Sequence, residues 1–146
     1  MSVPGETFAL VHPLRVRWTE VDPQGVVFNG HYLAYADVGL TEYWRELSAA
    51  AGKDLGTYAH QLYVVKAELR YKHSARYDQL LHVGVRAGRL GNTSVTFMFR
   101  VVHGDTVCVE AELVYAYVPA GADRAAPLPD DLRDAIRRFE KVAPTG

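Results

Sequence analysis

Residues 30–50 read GHYLAYADVGLTEYWRELSAA, and this stretch decides the fold class. Its apolar residues recur every three or four positions with charged residues between them, which is the period of a helix with a buried face. The residues that set this period are Leu33, Ala36, Leu40, Trp44 and Leu47. Gly52 follows as a typical helix stop. A helix of this length extends for roughly 30 Å, which is enough to cross a whole sheet.

The chain on the C-terminal side of this helix has the two-residue period of strands. Four runs of alternating apolar and polar residues occupy the region 62–118. The pairs at 91–92 and 104–105, Gly-Asn and Gly-Asp, separate the last three runs and are typical of tight hairpins. Consecutive hairpins predict an antiparallel meander. The runs, about eleven residues each, exceed the usual strand length, so we expect a wide sheet.

A shorter alternating run comes before the helix. It covers residues 14–18 and predicts a strand with one wet face that begins or bulges at Pro13, at an edge of the sheet. Residues 22–25, Asp-Pro-Gln-Gly, then have the residue types that a type I turn favours. Near the C-terminus, Leu132, Ile136 and Phe139 share one face of a predicted short helix.

The order of these elements predicts an α+β architecture, in which a long central helix packs against a five-stranded antiparallel sheet and a short helix follows at the C-terminus. We expect one domain over residues 1–146. Its core covers about 8–118, a loop covers 119–127, and the peripheral helix covers 128–142.

Composition excludes several classes of protein. Lys and Arg total 16 against 17 for Asp and Glu, which argues against binding a nucleic-acid backbone by charge. No apolar window reaches the ~18 residues of a membrane span, and residues 1–9 lack the pattern of a signal peptide. The single cysteine, Cys108, lies in an apolar run and is expected to be a small buried hydrophobe. We therefore expect a cytoplasmic protein that binds neither nucleic acid nor membrane.

Most familiar catalytic motifs are missing from the sequence. There is no G-x-S-x-G elbow, no phosphate-binding loop, and no pair of the six histidines at the helical spacing of metal ligands. Any reaction is therefore expected to depend on a carboxylate, without a metal or a bound cofactor.

Residues 17–32, RWTEVDPQGVVFNGHY, join the first strand to the long helix. Asp22 precedes the apolar residues 26–28, which are expected to desolvate its carboxylate and make it more basic. Free N–H groups near Asn29 and Gly30 direct the positive end of the helix into the same space. A base or nucleophile and a set of oxyanion donors are what acyl transfer requires. On pattern alone, Asp22 is also explained as a residue that only closes its turn.

This segment resembles the signature of the 4-hydroxybenzoyl-CoA thioesterase family within the hot-dog fold, D-x-x-G-x-V with a Tyr seven residues after the Gly. The resemblance covers about residues 10–118 and includes LRYK at 69–72 and ARYD at 75–78. It implies a hot-dog acyl-CoA thioesterase that needs no cofactor and hydrolyses an acyl-CoA or acyl-carrier thioester. The Asp-Pro-x-Gly form is similar to the branch whose catalytic carboxylate lies in this loop.

The resemblance also implies a role for each matching residue. Asp22 is the catalytic carboxylate, acting as general base or as nucleophile, and the backbone N–H of Asn29 polarises the thioester carbonyl. Gly25 and Val26 line the acyl pocket, and Tyr32 helps to wall it. The remaining substrate-binding positions are Phe28, Gly30 and His31, the last as a candidate to orient a water.

The chain departs from the family pattern at two places. Some relatives have a His where this chain has Asn29, although a backbone role does not depend on that side chain. Residues 90–93, LGNT, are uncharged where some relatives carry a basic cluster. Contacts to the nucleotide end of coenzyme A are therefore expected from Arg76, Arg86 or Arg89.

The resemblance further implies an assembly, because such units pair edge to edge with the acyl pockets between subunits. We expect at least a homodimer, with a homotetramer favoured. Two other functions stay open: a non-catalytic acyl-thioester-binding protein and a hot-dog enoyl-thioester hydratase. The hydratase pairs an Asp with a His about five residues later, where this chain has Val27 and Phe28. The identity of the acyl group also stays open, as does the choice between coenzyme A and a carrier protein as the thiol carrier.

Overall fold

The computed structural model describes residues 7–146. Its elements are β1 (Leu10–Arg15), α1 (His31–Ala51), β2 (Leu62–Tyr71), β3 (Leu80–Leu90), β4 (Ser94–His103), β5 (Thr106–Tyr117) and α2 (Asp130–Phe139). The five strands form one antiparallel sheet in the order β1-β3-β4-β5-β2. The predicted fold class, a long helix against a five-stranded antiparallel sheet with a short C-terminal helix, is confirmed.

Helix α1 packs closely on the sheet because it has a glycine, Gly39, where it faces β3. A Cβ on Gly39 would lie 2.7 Å from Cγ1 of Val83, so glycine permits this approach. Tyr43 is fully buried, and its ring centroid lies 5.1 Å from that of Phe97 on β4. The helix ends where predicted, with Gly52 in the left-handed conformation at φ 71°.

One residue predicted for the buried face of α1 is exposed. Leu33 is 42% exposed, whereas Tyr35 and Tyr43 are buried. The buried stripe is centred on residues 32, 36, 39 and 43, and Leu33 lies at its edge in the first turn. The apolar period identified the helix correctly but placed this leucine wrongly.

The sheet has the predicted meander at its centre, because β3, β4 and β5 pair in chain order. Strand β1 pairs with β3 at one edge, and β2 pairs with β5 at the other. The first strand was predicted at residues 14–18, but it is Leu10–Arg15, and Trp18–Glu20 forms a single helical turn. Pro13 lies within β1, which is tolerated because an edge strand can lack one donor.

The core lies between α1 and one face of the sheet. Alternate residues of β3 and β4 on that face are buried: Leu81, Val83, Val85, Ala87, Val95, Phe97 and Phe99. Cys108 is also fully buried, as predicted, and its burial raises the pKa of the thiol. No helix within the described residues is long and apolar enough to span a membrane.

Strand β2 differs from the other long strands because most of its residues are exposed. Its far edge has no partner strand among residues 7–146. Tyr63, Val64, Val65 and Tyr71 present large apolar surfaces along it. An exposed apolar edge strand is a template for pairing with another chain.

Candidate active site

The segment between β1 and α1 folds into a short hairpin from Glu20 to Phe28. The N–H of Phe28 donates to the carbonyl of Glu20 at 3.0 Å, and the N–H of Asp22 donates to the carbonyl of Val26 at 2.9 Å. At the tip, the N–H of Gly25 donates to the carbonyl of Asp22 at 2.9 Å, which closes the predicted turn. Gly25 has φ +80°, a conformation that favours glycine.

The hairpin is attached to the chain that follows β2 and to α1. The N–H of Val27 donates to the carbonyl of Ala75 at 2.8 Å, and Val26 pairs with Arg76. Ala75 in turn donates its N–H to the buried hydroxyl of Tyr32 at 3.0 Å. Tyr32 lies in the first turn of α1, so these bonds bring three separate parts of the chain together.

A crevice of about 540 Å³ lies where these parts meet. It is lined by Asp22, Val26, Val27, Phe28, Asn29, Tyr32, Tyr71, Lys72, His73 and Ser74. Five of the eight predicted site residues are therefore brought together: Asp22, Val26, Phe28, Asn29 and Tyr32. Asp22 and the residues at the entrance of α1, Asn29 and Tyr32, therefore line the same crevice.

The other three predicted residues do not line this crevice. Gly25 lies at the hairpin tip. Gly30 precedes α1 and faces the ring of Phe28, where a Cβ would lie 3.2 Å from Cε2. His31 begins α1, donates its N–H to the carbonyl of Phe28 at 2.9 Å, and packs its ring edge-on against Phe28. In the single chain, these residues shape the backbone around the crevice.

The carboxylate of Asp22 is half-buried and has one oxygen available. Its Oδ1 accepts a hydrogen bond from the N–H of Gln24 at 2.8 Å. Its Oδ2 accepts no hydrogen bond from any residue in the range 7–146. Asp22 therefore closes its turn and also presents a free oxygen, so the two interpretations of this residue are compatible.

The backbone N–H of Asn29 is the second free group at the crevice. The carbonyl of Phe28 is engaged by His31, and N–H and C=O point in opposite directions across a trans peptide, so the N–H of Asn29 points away from that bond. No acceptor for it lies within the described chain. Tyr71 fixes the same residue by donating its hydroxyl to the carbonyl of Asn29 at 3.1 Å. The 21-residue helix α1 adds the positive end of its dipole here.

Residues 71–74 also line the crevice, and they were not predicted from the sequence. The N–H groups of Lys72 and His73 both donate to the carbonyl of Cys108, at 2.8 and 3.1 Å. The ammonium of Lys72 lies 2.7 Å from Oε1 of Glu110, and Nδ1 of His73 lies 3.1 Å from the carbonyl of Ser74. Strand periodicity locates the end of β2 in the sequence, but it does not show that this end meets the hairpin.

The three arginines expected to contact the nucleotide do not form one cluster. Arg76 lies beside the crevice through its pairing with Val26. Arg86 is half-buried and its Nη1 lies 3.9 Å from the sulfur of Met98. Arg89 lines a separate cleft of about 550 Å³ near the turn between β3 and β4. Among the three, only Arg76 adjoins the crevice.

Metal-ligating side chains are dispersed over the described part of the chain. No group of three or more His, Cys, Asp or Glu side chains within residues 7–146 is arranged to hold a metal ion.

Comparison with known proteins identifies the family. The acyl-CoA thioesterase YbgC of Haemophilus influenzae is 23% identical over 128 residues, which cover 88% of this chain and 94% of the relative. The acyl-CoA thioester hydrolase YbgC of Escherichia coli O6:H1 is 28% identical over 107 residues, which cover 73% and 79%.

A solved structure and a family model agree with these relatives. A thioesterase from Thermus thermophilus, complexed with coenzyme A and Zn, superposes with a TM-score of 0.83 at 25% identity and covers 94% of this chain and 98% of that one. The family model of the thioesterase-like superfamily matches residues 16–136, a range that contains the hairpin, the crevice and α1. The chain has the hot-dog fold and belongs to the thioesterase-like superfamily.

Proposed function

We propose that this chain is an acyl-CoA thioesterase that hydrolyses a thioester to a free acid and coenzyme A. The observation that carries the proposal is one crevice lined by both Asp22 and Asn29, two residues whose Oδ2 and backbone N–H have no hydrogen-bond partner within residues 7–146. Membership of the thioesterase-like superfamily supports a thioester hydrolase, and the names of the YbgC relatives favour acyl-CoA as its substrate.

Asp22 is proposed to begin the reaction in one of two ways. As a general base it takes a proton from water while the water oxygen attacks the thioester carbon, and the C–S bond then breaks to release the thiolate. As a nucleophile its Oδ2 attacks that carbon, the thiolate leaves, and water hydrolyses the resulting mixed anhydride. The thiolate of coenzyme A collects a proton in either case. Neither route requires a metal ion.

The N–H of Asn29 is proposed to stabilise the negative charge that develops on the carbonyl oxygen. A donor of this kind is worth about 3–4 kcal/mol in other hydrolases. The hydrogen bond from Tyr71 and the start of α1 hold the backbone of Asn29 before the substrate binds, so little reorganisation is needed. The side chain of Asn29 has no part in this step.

The acyl group is proposed to lie against Val26, Phe28 and Tyr32, which line the crevice beside Asp22. Gly25, Gly30 and His31 are proposed to contribute through the shape of the hairpin tip and of the helix entrance. The exposed ring of Phe28 suits an aryl group, so 4-hydroxybenzoyl-CoA is one of the substrates to test.

We also propose that the functional unit is at least a homodimer, and that a tetramer forms from it. The unpaired edge of β2, with its exposed Tyr63, Val64, Val65 and Tyr71, supports this assembly. Tyr71 ends that strand and also lines the crevice, so a partner on this edge would lie close to the site. Sedimentation equilibrium would test the proposal, and a fully active monomer would refute it. A single domain over residues 1–146 and a cytoplasmic location stay predictions.

Release of free thiol from a panel of acyl-CoA substrates tests the proposed activity. The panel is acetyl-, butyryl-, palmitoyl- and 4-hydroxybenzoyl-CoA, and we expect turnover of at least one, at a rate that Asp22→Asn lowers by about 10²-fold or more. An enoyl-CoA in the same panel tests the hydratase, which would consume the enoyl chromophore without releasing thiol. Binding of the substrates without release of thiol or loss of that chromophore would instead identify a non-catalytic binder.

A further inference from the structure

Glu20 is a buried carboxylate at the base of the hairpin, and no step of the proposed reaction uses it. Its relative exposure is 7%, and it is the only charged side chain that is buried in the range 7–146. Carboxylates are seldom buried unless every oxygen is paired.

Both oxygens of Glu20 are fully used. Its Oε1 accepts hydrogen bonds from the backbone N–H of Arg17 at 2.8 Å and from the hydroxyl of Tyr35 at 3.0 Å. Its Oε2 accepts from Nε of Arg17 at 3.0 Å and lies 2.9 Å from Nη2. Burial acts to raise the pKa of Glu20, but the hydrogen bonds from Arg17 and Tyr35 outweigh it and lower the pKa. The side chain therefore stays ionised at neutral pH.

These contacts connect the hairpin to α1. Tyr35 is a buried residue of α1, so its hydroxyl holds the side chain of Glu20 against the helix. The backbone carbonyl of Glu20 meanwhile accepts the N–H of Phe28 from the opposite arm of the hairpin. Glu20 therefore fixes the first arm of the hairpin to α1 through its side chain, and it holds the second arm against the first through its backbone carbonyl.

The two groups proposed to act on the thioester, Asp22 and the N–H of Asn29, are close in the sequence to the bonded pair Glu20 and Phe28. Asp22 follows Glu20 by two residues, and Asn29 directly follows Phe28. The distance from the carboxylate of Asp22 to the N–H of Asn29 therefore depends on how the base of the hairpin is held. Glu20 does not line the crevice, so it acts on the reaction through these neighbours.

We propose that Glu20 is a positioning residue, which sets the separation of the Asp22 carboxylate from the Asn29 amide by fixing the hairpin to Tyr35 of α1. This inference rests on the proposed thioesterase function. It predicts that losing the hydrogen bonds of Glu20 with Arg17 and Tyr35 slows the chemical step more than it weakens substrate binding. The reason is that misplacement of a reacting group by about 1 Å can cost about a hundredfold in rate.

The test compares Glu20→Gln and Tyr35→Phe with a matched control, Glu42→Gln. Glu42 forms an ion pair with Arg45 at the same three-residue spacing, but its side chain is 26% exposed, against 9% for Glu20. We expect Glu20→Gln to lower kcat by about 10- to 100-fold while KM changes less than about threefold. Tyr35→Phe keeps the ring and loses one bond, so we expect a fall in kcat of about three- to tenfold. Glu42→Gln is expected to stay within about twofold of the wild type.

Hydrogen–deuterium exchange of peptides covering residues 20–30 supplies a readout that does not need turnover. We expect faster exchange there in Glu20→Gln and unchanged exchange in Glu42→Gln. Unchanged kcat and exchange in a folded Glu20→Gln variant would overturn the positioning role. If that variant does not fold, Tyr35→Phe decides the question in the same way. Wild-type protein that releases no thiol refutes the proposed function instead, and the exchange measurement then still decides whether Glu20 holds the hairpin.

Discussion

Replacing Asp22 by Asn removes the proposed catalytic group with little change in shape. The amide oxygen of Asn can still accept the hydrogen bond that Oδ1 receives from Gln24 at 2.8 Å. The bond between the N–H of Gly25 and the backbone carbonyl of residue 22 does not involve the side chain at all. The variant therefore keeps its turn and loses the carboxylate oxygen that has no hydrogen-bond partner within residues 7–146.

The expected loss follows from the role of that oxygen. Removing a general base costs about 10²- to 10⁴-fold in rate. At 1.36 kcal/mol for each tenfold change, this corresponds to about 3–5 kcal/mol of transition-state stabilisation. Loss of a nucleophile would cost at least as much. The free energy of unfolding is expected to change by less than about 0.5 kcal/mol, because Asp22 is a half-buried turn residue whose hydrogen bond is retained.

The assay is thiol release at saturating acyl-CoA, with the thermal midpoint and the affinity for coenzyme A measured on the same samples. Asp105→Asn, at an exposed aspartate in the turn between β4 and β5, is the matched control and should keep the wild-type rate. An Asp22→Asn variant that folds, binds coenzyme A and retains the wild-type rate would show that Asp22 is not the catalytic group.

Three further predictions test the surroundings of the site. Gly39→Ala should lower the free energy of unfolding in urea by about 1–3 kcal/mol, because its Cβ would lie 2.7 Å from Cγ1 of Val83. Tyr71→Phe should lower kcat several-fold with little change in thermal midpoint, because it removes an exposed hydrogen bond to the carbonyl of Asn29. The lowered pKa of Glu20 stabilises the fold above its ordinary value of 4.5, and this stability is lost as pH falls through the lower pKa of the folded state. Urea titrations between about pH 3 and 7 should therefore show a smaller acid-side loss in Glu20→Gln than in the wild type.

Each of these has a result that contradicts it. A Gly39→Ala variant as stable as the wild type would mean that α1 does not approach the sheet so closely. An unchanged kcat in Tyr71→Phe would mean that the carbonyl of Asn29 needs no outside support. Parallel acid titrations of the wild type and Glu20→Gln would mean that the carboxylate is not held in its ionised form by its partners.

The parts of the fold that could be predicted from the sequence are those that depend on local periodicity. The apolar period at residues 30–50 and the turn pairs at 91–92 and 104–105 identified α1 and the meander, because each signal lies within a few turns or one hairpin. The bounds of β1 were wrong because pairing with β3 decides which residues extend the ladder. Local alternation at residues 14–18 carries no information about that partner.

The candidate site, too, was predicted from the sequence only where its signals are local. Asp22 and its turn are visible in the residue types at 22–25, and the entrance of α1 is visible in the change of period. Glu20 and the wall formed by residues 71–74 were missed because their roles depend on contacts across 15 to 42 residues of sequence. In the sequence, Glu20 does not differ from other charged residues in loops. Its role depends on the hydrogen bonds that Arg17 and Tyr35 donate to its carboxylate in the folded chain.

A crystal structure of the Asp22→Asn variant with an unhydrolysed acyl-CoA would show whether the thioester binds between Asp22 and Asn29. We expect the thioester carbonyl oxygen to lie about 2.7–3.1 Å from the backbone nitrogen of Asn29, with the side chain of residue 22 beside the carbonyl carbon. A thioester bound elsewhere, for example in the cleft beside Trp44 and His60, would contradict this expectation.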